Sequence, residues 1–143
     1  TDKLVIPAKY DYAWSFLEGL ARVRINGKFG FIDKTDKLVI PAKYDAVSDF
    51  YDGLALVEIN GKYGFIDKAD KLVIPAKYDD AWSFSEGLVR VQINGKWGFI
   101  DKTDKVVIPA IYDYVWDDFK NGKARVELNG REFYIDKNGN EVK

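Results

Sequence analysis

The sequence contains no cysteine, no histidine and no methionine. Thiolate and imidazole metal sites, disulfide bonds and histidine-activated serine or cysteine nucleophiles are therefore excluded. An excess of charge of one sign is also lacking: 22 lysines and arginines stand against 23 acidic residues, interspersed along 143 residues, so there is no basic footprint for nucleic acid. Long apolar runs are missing as well. Val106 to Ile111 is typical of the longest and falls far short of the roughly 20 residues a membrane helix needs, so a soluble chain without membrane insertion is expected. The missing initiator methionine suggests a processed chain or an excised fragment. The missing cysteine leans toward a secreted or cell-envelope location, although it suits the cytosol nearly as well.

What is present is apolar and aromatic. Hydrophobic residues make up 47% of the chain, enough for a real core, and the 15% aromatic content favours sheet over helix because flat side chains pack well on pleated surfaces. These residues recur with a period of 34: Ile6-Pro7, Ile40-Pro41, Ile74-Pro75 and Ile108-Pro109, and likewise Tyr10, Tyr44, Tyr78 and Tyr112. Such a period marks solenoids, propellers or arrays. Phe16, Phe50 and Phe84 keep step, whereas Phe119 falls one residue late because of an insertion near Asp117-Asp118. The period divides the chain into a strand of a preceding unit (1–9), then repeats at 10–43, 44–77, 78–111 and 112–143, in one array.

Three strands are predicted in each unit. In the first, Ala21, Val23 and Ile25 alternate with Arg22 and Arg24, the two-residue period of a half-buried strand. Asn26-Gly27 then accepts positive φ at both positions of a type I′ turn, which pairs Ile25 with Lys28, Arg24 with Phe29, Val23 with Gly30 and Arg22 with Phe31. Gly30, Gly64 and Gly98 fall inside the second strand, where a ring of the connector, tyrosine or tryptophan, is expected to cover the bare backbone. The third strand, Leu38-Val39-Ile40, is expected to close at Pro41. A connector holding one short helical turn leads on, with Gly19, Gly53 and Gly87 at left-handed positions before the next strand. Ala21, Val23 and Ile32 line one face of the meander and Phe29 and Phe31 the other. One meander cannot bury both, so successive sheets are expected to stack, about 10 Å apart.

Trp97-Gly98-Phe99-Ile100-Asp101-Lys102, followed by Val107-Ile108-Pro109 and Tyr112-Asp113 and preceded by Phe84-Ser85-Glu86-Gly87, resembles the bacterial WG repeat, and the resemblance covers nearly the whole chain. Departures occur: Phe29 and Tyr63 replace the naming tryptophan, and Arg131-Glu132-Phe133-Tyr134 breaks the motif, as a terminal cap would. Asp36, Asp70 and Asp104 stand where glycine is expected in the second turn, and only Gly139 restores it. The resemblance implies an all-β repeat module, often exported, without catalytic activity of its own.

Three groups of residues are candidates for chemistry. The carboxylates Asp45, Asp49 and Asp52, with Asp79-Asp80 and Asp117-Asp118, suggest calcium ligation or an acid–base pair, but turn and cap roles explain them more simply. Tyr12, Trp14, Trp82, Tyr114 and Trp116 form a candidate ligand-binding ladder. Aromatics at a fixed repeat position more often pack between units, yet Ser48 interrupts this row, as a tolerant surface would allow. Tyr10, Tyr44, Tyr78, Tyr112, Trp97, Gly30, Gly64 and Gly98 are read as packing residues. Arg22, Arg24 and Arg90 are read as solubilising charge, because Glu58 and Glu127 on the matching strands break any continuous anion groove.

The expectation is an all-β tandem array of about four three-stranded antiparallel meanders in an open, twisted, solenoid-like stack, with a closed four-unit, propeller-like ring as the alternative if Leu4-Val5-Ile6 completes the last unit. The expected function is a non-catalytic protein–protein interaction scaffold without cofactors. Its alternatives are a glycan or cell-wall binding module using the connector aromatics, and a structural protein that assembles with itself head to tail through its terminal strands.

Overall fold

The computed structural model describes residues 12–13 and 16–142, with only the backbone of Tyr12. Tyr10, Trp14 and the Leu4-Val5-Ile6 strand on which ring closure turns lie outside the described residues. Those described form sixteen strands in four antiparallel sheets and no helix.

The first sheet contains β1 (Tyr12–Ala13), β2 (Ala21–Ile25), β3 (Lys28–Ile32) and β4 (Leu38–Tyr44), in that spatial order. The second repeats it with β5 (Ala46–Val47), β6 (Ala55–Ile59), β7 (Lys62–Ile66) and β8 (Leu72–Tyr78). The third has β9 (Asp80–Ala81), β10 (Leu88–Ile93), β11 (Lys96–Asp101) and β12 (Val106–Tyr112). The fourth has β13 (Tyr114–Lys120), β14 (Lys123–Leu128), β15 (Arg131–Asp136) and β16 (Glu141–Val142).

Asn26 and Gly27 have φ of 51° and 81°, as a type I′ turn requires, and β2 pairs with β3 in the register that turn dictates, Arg24 opposite Phe29 and Val23 opposite Gly30. The connector differs from its sequence reading. Its first part adds a fourth strand to the meander, and its second is a tight turn, as at Tyr51 and Leu54, whose backbone groups exchange hydrogen bonds of 2.9 and 3.0 Å. Extended pairing satisfies the connector's backbone groups where a helical turn would leave most of them open.

The third strand also runs past its proline. Ile40 and Tyr44 of β4 pair with Phe31 and Phe29 of β3, so Pro41, Ala42 and Lys43 bulge opposite the single residue Gly30. Proline has no N–H to give the ladder, and a bulge removes the need for one. The bulged backbone lies against the glycine: a Cβ on Gly30 would stand 2.8 Å from Ala42 N and closer still to Ile40 O. Gly64 and Gly98 meet the equivalent backbone atoms of residues 74–76 and 108–110. Backbone, not an aromatic ring, covers these glycines.

Two compact units divide the chain, residues 1–76 and 77–143. In the first, Leu20, Phe31, Ile40 and Tyr44 of one sheet pack on Val47, Phe50, Ala55, Val57 and Ile66 of the next. The other face of the first sheet buries Ala21, Val23 and Ile32 with Phe16 and Ile25 against them. In the second unit Leu88, Trp97, Phe99, Ile108 and Tyr112 pack on Val115, Phe119, Ala124, Val126 and Ile135. The connector phenylalanine completes each stack: Phe50 meets Phe31 edge-on with ring centroids 4.8 Å apart, and Phe119 meets Phe99 at the same distance.

Candidate functional site

In β13 the two-residue alternation of a strand buries Val115 and turns Tyr114 and Trp116 outward. Trp82 holds the equivalent place just after β9. Tyr114, Trp116 and Trp82 are 45%, 47% and 49% exposed, high for rings of this size, yet each tryptophan is braced. The Arg90 guanidinium lies 3.7 Å from the centre of the Trp82 ring, a close cation–π stack. Trp116 donates its indole N–H to Glu127 at 3.1 Å, with the Arg125 guanidinium 5.9 Å from its ring centroid. Tyr114 and Trp116 meet edge to face, 4.8 Å between centroids and 73° between planes.

Arg90 is the buried element of this surface, at 5% exposure. It donates to the backbone carbonyl of Val115 and approaches Asp118 Oδ1 at 3.1 Å, at an angle that makes an ion pair without a hydrogen bond. Burial pushes the Asp118 carboxyl above the usual range; Arg90 opposes the shift and neighbouring Asp117 adds to it. In the first unit Arg22 donates to Val47 O at 3.1 Å and stands 3.4 Å from Asp49. Solubilising charge is thus the wrong reading for these two arginines: each ties one sheet to the next. Arg24 lies 5.9 Å from the Phe29 ring centroid.

Of the candidate carboxylates, Asp45 and Asp79 are committed to turns, and Asp49 and Asp118 to the arginines. Asp45 and Asp113 accept from the turn N–H groups of Asn60 and Asn129 at 3.0 and 2.8 Å, and from Lys28 and Lys96. These contacts hold both carboxyls below the ordinary range, the lysines first and the turn N–H second. Asp79 caps Asn94 in the same way at 2.9 Å, and Glu86 caps Asn121 and Gly122 at 2.7 and 3.0 Å. Among the described residues no three Asp, Glu, His or Cys side chains gather to hold a metal.

The packing residues sit between sheets. Tyr44, Tyr78 and Tyr112 are buried, as is Trp97. Tyr44 donates its hydroxyl to Asp70 at 2.5 Å while Lys43 reaches the other oxygen of that carboxylate at 2.6 Å; Tyr78, Lys77 and Asp104 repeat the arrangement. Asp70 and Asp104 occupy the glycine-like turn position with φ of 64° and 68°. The last repeat changes both partners together, with Ile111 in place of the lysine and Gly139 in place of the aspartate.

The profile of the WG containing repeat matches residues 1–29, 29–63, 63–97 and 97–131. The chain belongs to the WG containing repeat family. Within this WG array the glycine of the motif is the residue on which the proline bulge rests, which explains why the two recur together. A comparison with curated proteins gave no match. Among solved structures the chain is similar to a plant lectin with two metal binding sites from Cicer arietinum, at 16% identity over 87% of this chain and 86% of that one, with a TM-score of 0.36. Likeness at that level carries no argument.

The five candidate ligand-binding aromatics separate by unit. Tyr114, Trp116 and Trp82 belong to the second; in the first, Trp14 and the Tyr12 side chain lie outside the described residues. The stacking of this row on the arginines does not follow from strand alternation alone. The signal was available: tryptophan and arginine stand eight or nine apart at Trp14 and Arg22, Trp82 and Arg90, and Trp116 and Arg125, and the one repeat with Ser48 has Leu56 instead of arginine.

Proposed function

We propose that this WG array is a non-catalytic module that binds another protein through the Trp82, Tyr114 and Trp116 surface of its second unit. The observation that carries the reading is the exposure of three large rings held in fixed poses by Arg90, Arg125 and Glu127. Tryptophan, tyrosine and arginine are the side chains that dominate interface energetics, and rings already fixed lose little entropy on binding. The engagement of Asp45 and Asp79 in turn caps, and of Asp49 and Asp118 in ion pairs, supports the non-catalytic part of the reading.

Stacking of sugars on the same rings is less well supported. Arg90 occupies one face of Trp82, and Tyr114 stands edge-on to Trp116, so the rings offer no continuous flat platform. The test is capture from the native source on immobilised chain, with cross-links mapped by mass spectrometry, using wild type and the Trp82→Ala, Tyr114→Ala, Trp116→Ala triple variant. A specific partner cross-linked next to these rings and lost in the variant is expected. Capture that persists in a variant with a native circular dichroism spectrum would overturn the assignment.

A further inference from the structure

A second surface in the same unit departs from the repeat at nearly every position. A groove of about 550 Å³ is lined by Ser85, Asp117 to Asn121, Lys123 and Tyr134. Ser85 stands where the first two repeats carry the larger Leu17 and Tyr51, and Asp117-Asp118 contains the one-residue insertion. Lys123 replaces the buried Leu20, Leu54 and Leu88, and Tyr134 replaces the buried Phe31, Phe65 and Phe99. A cap for the last sheet accounts for Lys123 and Tyr134 alone. It does not account for the insertion, nor for Ser85, whose hydroxyl donates to Phe119 O at 2.8 Å, and both border the groove.

The lining chemistry narrows the occupant. Two carboxylates, Asp117 and Asp118, line the groove with two ammonium groups, Lys120 and Lys123, and Asp118 is already paired with Arg90, so a strongly charged ligand of either sign meets repulsion as well as attraction. Asp117 and Lys120 are exposed, and neither enters an ion pair among the described residues. The Asn121 side chain adds both a donor and an acceptor. Tyr134 is 37% exposed and supplies the one broad aromatic surface; Lys123 Nζ lies 4.8 Å from its ring centroid, but on an exposed, flexible stem that a ligand can displace, unlike the buried Arg90 against Trp82. Phe119 supplies a buried apolar floor.

A ligand matching this set carries many hydroxyls, each able both to donate and to accept, no net charge, and one apolar face. From this we infer that the groove is a saccharide site, taking a neutral pyranose unit whose hydroxyls bridge Asp117, Asn121 and Lys120 while its C–H face rests on Tyr134. This site is separate from the aromatic face assigned above to a protein partner.

The test is titration of the full ¹⁵N-labelled chain with cellobiose, chitobiose and methyl α-glucoside, with citrate and putrescine as charged controls. Saturable shifts of the backbone amides of residues 117–121, 123 and 134 are expected with at least one saccharide. Tyr134→Ala removes the stacking ring at an exposed position, and Ser85→Leu refills the groove with the residue type of the first repeat. Each variant should weaken binding about tenfold or more while the remaining spectrum stays in place. The inference is overturned by the absence of saturable shifts with all three saccharides, by shifts that survive both variants, or by stronger binding of citrate or putrescine to these amides. It is equally overturned by saccharide shifts confined to Trp82, Tyr114 and Trp116. Failure at the groove leaves the protein-capture experiment untouched, so the two readings fall separately.

Discussion

Two kinds of glycine do different work in this protein, and substitution separates them. Gly95 has φ of 82° with open space around its Cβ position, so Gly95→Ala meets only the left-handed backbone cost, about 1 kcal/mol. Gly98 has ordinary φ, but its Cβ would stand 2.7 Å from Ala110 N and from the Pro109 carbonyl carbon. Backbone cannot rotate out of the way as a side chain can, so Gly98→Ala should cost about 3 kcal/mol or more. Urea unfolding of the two variants should give that order; equal losses would remove the bulge as the reason for the glycine.

Tyr44 and Tyr78 carry hydroxyls whose pKa lies well above the ordinary 10, because burial and then the aspartate acceptor disfavour phenolate. The sign of the pH dependence follows. Above pH 10 the unfolded chain ionises these tyrosines while the folded chain keeps their protons, so stability falls as pH rises beyond 10. Stability measured across that range should drop less steeply in Tyr44→Phe than in wild type. A slope identical in the two would show that the buried hydroxyl does not couple to folding.

At the scale of elements, the tyrosine clamp joins a strand end of one sheet to the second turn of the next. Lys43, Tyr44 and Asp70 form it in the first unit, and Lys77, Tyr78 and Asp104 in the second. Tyr112 has Ile111 and Gly139 where the others have lysine and aspartate. Ile111→Lys with Gly139→Asp should rebuild the clamp, and a double-mutant cycle should return a favourable coupling of about 0.5–1 kcal/mol. Zero coupling would mean that the lysine and the aspartate act independently. The strand register, by contrast, follows from Asn-Gly turns alone, because a two-residue loop admits one pairing of its flanks.

For the molecule as a whole, each sheet is too thin to bury both of its faces, so the stable object within each unit is a pair of packed sheets and not a repeat. A peptide spanning residues 80–112 should show no folded spectrum by circular dichroism. Inside the second unit, Phe119→Ala should cost about 3–5 kcal/mol, since the ring is 1% exposed and set against Phe99. Hydrogen exchange should then accelerate in β11 as well as in β13 and β14. Exchange that rises in the fourth sheet alone would show that the interface does not couple the two.

The sequence by itself determined the period, the hairpins and which residues share a face, because Asn-Gly chemistry and two-residue alternation act over a few neighbouring positions. Phe31 and Ile32 could be assigned to opposite sides of β3 on that basis. Only the tertiary structure decided what lies against each face. The bulge over Gly30, the burial of Arg90 under Trp82 and the groove beside Tyr134 all depend on atoms distant in the chain. Spacing along a strand says which way a side chain points, but the partner it meets is set by how the next sheet settles on it.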